Sequence, residues 1–219
     1  MTDTLEREPA SRHRESQPAP TPPPAPAPPP EGNPALIGVP TFLVGSIALG
    51  LVLTGFTPAT AGGASIPIIM TATGFGQAVA ALWAARLGQN AVASIFGIFT
   101  GFWTSYAALV LGLTHGWFGI TAADTVKTQE LFLGSWLTII VLLTLATLRL
   151  PAAFTLLFGL IDLALLLVLL GTAQASTSLV KVGGWAVFSF VTVGAYIYLA
   201  AMNQATGGRA LPLGKPLLS

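Results

Sequence analysis

Asp162 is the residue best placed to do chemistry in this chain. It is the only acidic residue well inside a long apolar run, near the middle of Pro151–Gly171. An ionised carboxylate at the centre of a bilayer costs about 2.5–3.5 kcal/mol on insertion scales. Such a group takes up a proton, finds a hydrogen-bond partner, or faces a wet cavity. Two readings follow. Asp162 faces a pore, where it accepts a proton or repels anions, or it is a protonated or hydrogen-bonded packing residue between helices. Gln77, beside Gly76, offers a second polar group in an apolar run. Its amide either lines a polar path or bridges two helices. Asn33 followed by Pro34 is a helix start. Asn accepts from free backbone N–H groups, and Pro is tolerated at the first helical position, where no N–H partner is lost. The same helix start presents N–H groups and a dipole end at which an anion could pause.

Enzymatic constellations are poor. The two histidines are His13, in the N-terminal tail, and His115, alone in an outer loop. Neither has a partner at metal-ligand spacing. The absence of cysteine excludes disulfides, thiolate chemistry and Cys-based metal sites. No serine sits in a nucleophile elbow, and no glycine loop has phosphate-binding spacing. Asp124, Lys127 and Glu130 cluster as a solvated face. The reading is therefore no enzyme, no metal and no cofactor.

The elements that must position Asp162 and Gln77 are membrane helices. Charged residues make up 8% of the chain and hydrophobic residues 53%. A soluble domain carries about 25% charged residues. So few charges cannot cover a water-facing surface, so the chain is an all-α integral membrane protein. Net charge is +1, with no basic run, which argues against a nucleic-acid partner. A spanning helix needs about 20 mostly apolar residues. Six runs qualify: Ala35–Gly55, Ile66–Arg86, Ala91–Leu113, Leu131–Leu148, Pro151–Gly171 and Val182–Met202.

Six spans put both ends of the chain on one side. Arg7, Arg12, Arg14, Arg86, Arg149, Arg209 and Lys215 then fall together, and only Lys127 and Lys181 fall opposite. The bias of Lys and Arg toward cytoplasmic loops predicts that both termini are cytoplasmic. Trp83, Trp117 and Trp185 lie near predicted span ends, as an interfacial belt requires, whereas Trp103 is mid-span. Gly97 and Gly101 form a small-xxx-small pair, which packs helices within one protomer or between protomers.

Residues 1–32 read as a disordered, proline-rich cytoplasmic tail. Arg7, Arg12 and Arg14 are present, but prolines from Pro18 to Pro30 replace the apolar core of a secretion signal. Such a tract favours polyproline II, serving as a solubilising spacer or as a ligand for a proline-binding module. The six-helix domain occupies residues 33–206, and residues 207–219 form a short cytoplasmic tail.

With the helices placed, the chain resembles the acetate uptake transporter family, the bacterial acetate/succinate–proton symporters and their yeast ammonia/acetate relatives. The family opens with Asn-Pro-Ala-Pro-Leu-Gly-Leu and a Phe three residues later; Asn33, Pro34, Ala35, Gly38 and Phe42 match. Gly76-Gln77, Gly88 and Phe102-Trp103 meet further motifs in register, as do Phe132-Leu133-Gly134 and Thr147-Leu148-Arg149. Tyr198-Leu199-Ala200, Gly208-Arg209 and Leu211-Pro212-Leu213-Gly214 resemble the family's closing motifs. Departures are Leu36 for Pro, Phe99 for Tyr, an unusual Pro40, and Asp162 where the family has Thr. The acidic residue usual after Tyr-Leu-Ala is missing.

The resemblance implies a bundle with its own pore in each protomer, assembled as a homo-hexamer. It implies a constriction at Phe42, Phe99 and Ile161, and a narrow apolar gate passes small species while slowing hydrated ions. A carboxylate at Asp162 beside that gate suits passage of a neutral acid, an anion with its proton on Asp162, or an uncharged or cationic solute. The resulting expectation is a multi-pass transporter or channel of the bacterial plasma membrane for small monocarboxylates, acetate first, coupled to protons. The rivals are a hexameric channel for a neutral solute such as urea or ammonia, and a non-transporting adaptor that uses the proline-rich tail.

Overall fold

The computed structural model of the chain describes residues 31–218. The proline-rich tail lies, but for its last two residues, outside them. Six long helices follow: α1 (Ala35–Thr54), α2 (Ile66–Arg86), α3 (Asn90–His115), α4 (Thr125–Thr147), α5 (Ala152–Ala173) and α6 (Thr177–Ala205). No strand is present among the described residues. All six are long and apolar enough to cross a membrane.

Two of the helix starts are capped by side chains. The Asn33 side chain accepts from the Ala35 N–H at 3.1 Å, so the helix begins where the Asn-Pro pair predicts. Gly55 (φ 88°) closes α1 in the left-handed conformation, and the Phe56 N–H returns to the Leu51 carbonyl. Ser176 accepts from the Leu179 N–H at the start of α6. Two helices begin earlier than the apolar runs predict. α4 starts at Thr125 rather than Leu131, and α6 at Thr177 rather than Val182. Their first turns are polar, so they extend beyond the apolar stretch. An ion pair between Lys127 and Glu130 at 2.6 Å stabilises the first of these turns.

α1 continues through Pro40, which has no N–H for the carbonyl one turn back. α2 widens into a π-helical stretch over Ile69–Gly74. The span hydroxyls mostly bond back to their own helix, as Ser46, Thr100, Ser105 and Thr138 show at 2.6–2.9 Å.

The helices form a ring. α1 lies between α6 and α2, α2 packs on α3, α6 on α5, and α5 on α4. The α3–α4 seam closes through side chains. Phe102 and Tyr106 of α3 meet Phe132 and Trp136 of α4 with ring centroids 5.5–6.0 Å apart. Large apolar side chains such as Phe75, Leu82, Leu142 and Leu145 point outward. In a chain with so few charges, such an exposed apolar surface suits a lipid environment rather than water.

The segment after α6 folds back as a strap. The Tyr196 hydroxyl donates to the Pro212 carbonyl at 2.8 Å, and the Ala153 N–H at the start of α5 donates to the Leu213 carbonyl at 2.9 Å. The Leu217 and Leu218 N–H groups donate to the Leu148 carbonyl at the end of α4. Leu213 packs on the core of the bundle. Leu213→Ala should therefore lower the melting temperature of the detergent-solubilised protein by about 2–6 °C, from roughly 1–2 kcal/mol of lost burial. An unchanged melting curve would show that the strap rests on the bundle without stabilising it.

Candidate functional site

Five of the helices line an apolar cavity of about 260 Å³. Its walls come from α1 (Leu49, Leu53), α3 (Tyr106, Val110), α4 (Phe132, Leu133), α5 (Leu165, Val168) and α6 (Val180, Val187). These segments belong to the half of the bundle away from Asn33 and the strap. Among the described residues, no charged side chain lines it.

The cavity ends at the three residues proposed as a constriction. Phe42 is the lining residue of α1 nearest the Asn33 end, Phe99 that of α3, and Ile161 that of α5. All three are buried. The Phe42 and Phe99 rings meet edge to face, centroids 5.0 Å apart. Phe190 of α6 stands 5.7 Å from Phe42, and Phe158 of α5 stands 5.9 Å from Phe99. Beyond this floor, Phe96, Leu157 and Phe158 are buried. The structure thus brings Phe42, Phe99 and Ile161 to one level, with Phe190 completing the floor.

Trp103 and Phe102 belong to the same site. Both line the cavity, and Trp103 is 1% exposed. This accounts for a tryptophan in the middle of a span. Its ring stands 6.1 Å from Phe42 and 5.0 Å from Phe102, edge to face with both.

The other singled-out residues lie elsewhere. Gln77 is fully buried; its amide donates to the Gly38 carbonyl, with Thr41 Oγ1 at 3.3 Å. It bridges α2 to α1, and α2 contributes nothing to the cavity lining. Asp162, next to Ile161, does not line the cavity. One carboxylate oxygen accepts from the Thr144 hydroxyl of α4 at 2.6 Å, and the other is buried without a partner. Asn33 caps α1 far from the lining residues. Pro34 is buried, Ala35 packs on the core, and Gly38 gives space to the Phe96 ring.

Phe190 and Tyr106 are cavity residues that the sequence does not mark by motif. Tyr106 had a signal in spacing: residues 99, 103, 106 and 110 recur at helical period, so they share one face of α3. Phe190 had none.

Residues 16–208 match the GPR1/FUN34/yaaH family. The chain is 29% identical over 168 residues to acetate permease A of Emericella nidulans, an alignment covering 70% of this chain and 55% of that protein. The chain thus spans about half the length of that relative. Its fold is similar to that of the bacterial acetate channel SatP, with a TM-score of 0.74 at 21% identity, over 84% of this chain and 100% of that one.

Proposed function

The chain belongs to the GPR1/FUN34/yaaH family, and from that premise we propose that it carries small monocarboxylates, acetate first, across a membrane. The observation that carries this reading is the apolar cavity that ends at Phe42, Phe99 and Ile161. The names of its relatives, an acetate permease and an acetate channel, supply the substrate class.

The solute crosses the floor as the neutral acid, so a proton travels with each acetate. A carboxylate anion entering the cavity would shed water with no cation beside it, since no charged residue lines the wall. Asp162 is held on Thr144 between α4 and α5, and serves as a packing residue there. In this reading the protein lies in a bacterial plasma membrane with both termini in the cytoplasm, as a homo-hexamer with one path per protomer. The uncharged wall also favours a second reading, passage of a neutral solute such as urea or ammonia.

The test is uptake of radiolabelled acetate into proteoliposomes at two pH values, with Asp162→Asn and radiolabelled urea alongside. Acetate uptake should rise several-fold at the lower pH, where more acid is neutral. Asp162→Asn should keep that dependence. No acetate uptake at either pH would sink the proposal, and urea uptake in its place would establish the second reading. A pH dependence flattened by Asp162→Asn would return the carboxylate to the proton path.

A further inference from the structure

We propose that Trp103 and Tyr106 form a hydrogen-bonding site above the constriction that selects a neutral, planar carbonyl compound, the uncharged acid in the reading above, on which this inference rests. The indole N–H of Trp103 is buried and has no partner. An unpaired donor in an apolar interior is costly, and a bound oxygen relieves that cost. The side chain forms part of the cavity wall, beside the Phe42 ring that ends it. Phe42 and Phe102 pack on the indole edge to face.

Tyr106 stands three residues further along the same face, about 4.5 Å along the helix axis. Its ring stacks parallel on Phe102 and lies beside Phe132, and the residue lines the same cavity. The two groups are chemically complementary to a protonated carboxyl group. The indole donates to the carbonyl oxygen, and the phenol oxygen accepts from the acid O–H. Neither group carries a charge, so an anion gains no ion pair there. Gln129 and Thr172, the other lining residues with polar side chains, lie toward the far helix ends, away from the floor. A carbonyl compound passing them meets Trp103 and Tyr106 immediately before the rings of Phe42 and Phe99.

The experiment uses the full chain in proteoliposomes, with Trp103→Phe and Tyr106→Phe, each checked for a monodisperse elution profile. Acetate uptake is measured against concentration, with acetamide as a neutral competitor and intrinsic tryptophan fluorescence as a binding readout. Trp103→Phe keeps a ring and removes the donor. It should raise KM for acetate about threefold to tenfold, the worth of one net hydrogen bond, with Vmax within about twofold. Acetamide should inhibit the wild type and lose potency in parallel in the variant. The fluorescence change on adding acetamide should disappear in Trp103→Phe. Tyr106→Phe should shift KM in the same direction, and it decides the matter if Trp103→Phe does not fold. Unchanged KM, or a loss confined to Vmax, would reduce both residues to wall packing and overturn the site. If the wild type transports no acetate, the transport reading fails by itself; a Trp103-dependent response to acetamide would still uphold the site, and its absence would overturn it too.

Discussion

Phe42→Ala should make the path about tenfold less able to distinguish acetate from longer monocarboxylates such as butyrate. Phe42 carries much of the cavity floor, since its ring touches Phe99, Trp103 and Phe190 at centroid distances of 5.0–6.1 Å. Removing the ring leaves those three without their shared neighbour and opens a gap in the cavity floor. One methylene in a fitted apolar site is worth roughly 1–3 kcal/mol, about 10–200-fold in discrimination, and on the proposed reading the floor supplies that discrimination only while it fits. The same change should cost about 3–5 kcal/mol of stability, as other buried Phe→Ala changes do. Phe42→Leu, which refills part of the gap, should sit between on both measures. The check is competition between labelled acetate and unlabelled butyrate in proteoliposomes, with melting curves of the same preparations. A fall in melting temperature with discrimination intact would identify Phe42 as packing and move the selective step elsewhere.

Much of the bundle was legible in the residues, and the reason lies in the bilayer. Backbone groups in lipid must all pair within the protein, and a single continuous apolar run of this length does that as a helix. The helix starts at Asn33 and the break at Pro151 were readable from side-chain chemistry alone. The facing of each helix was not. In a soluble protein the polar face of a helix reports where the core lies, but here both the lipid face and the interior are apolar. Phe158 and Phe75 are equally apolar, yet the first is buried beneath the cavity floor and the second is among the most exposed large hydrophobic residues. Phe42, Phe99 and Ile161 therefore came from family resemblance, and Phe190 went unmarked. Gln77 and Asp162 each admitted a path or a bridge, because a polar side chain in a span needs a partner but does not say on which side. Thr144 and the Gly38 carbonyl supply those partners. The π-helical stretch of α2 had no signal in spacing.

Gly38→Ala should be among the most damaging small changes in the chain. A methyl group added at Gly38 would fall onto the Phe96 ring, and one at Gly76 onto the Thr41 side chain. Gly45 stands against Thr73 in the same way. Phe96 and Thr73 are both buried, so neither has open space to move into. α1 would have to move away from α2 and α3, stretching the Gln77 bond to the Gly38 carbonyl and tilting Phe42 out of the cavity floor. Overpacking of this kind costs about 1–3 kcal/mol or more, which for a chain of this size lowers the melting temperature by several degrees. Gly97→Ala is the contrasting case. It lies on α3, where an added methyl meets nothing within 4 Å. In isolation it should be neutral or slightly stabilising, because Ala is the better helix former by about 1 kcal/mol. Measured side by side in detergent, Gly38→Ala and Gly76→Ala should melt several degrees below the wild type, while Gly97→Ala should match it. If Gly97→Ala instead lowers both melting temperature and oligomer mass, its small-xxx-small pair packs against a neighbouring copy. If Gly38→Ala melts with the wild type, the close approach of α1 to α3 is not what sets the position of Phe42.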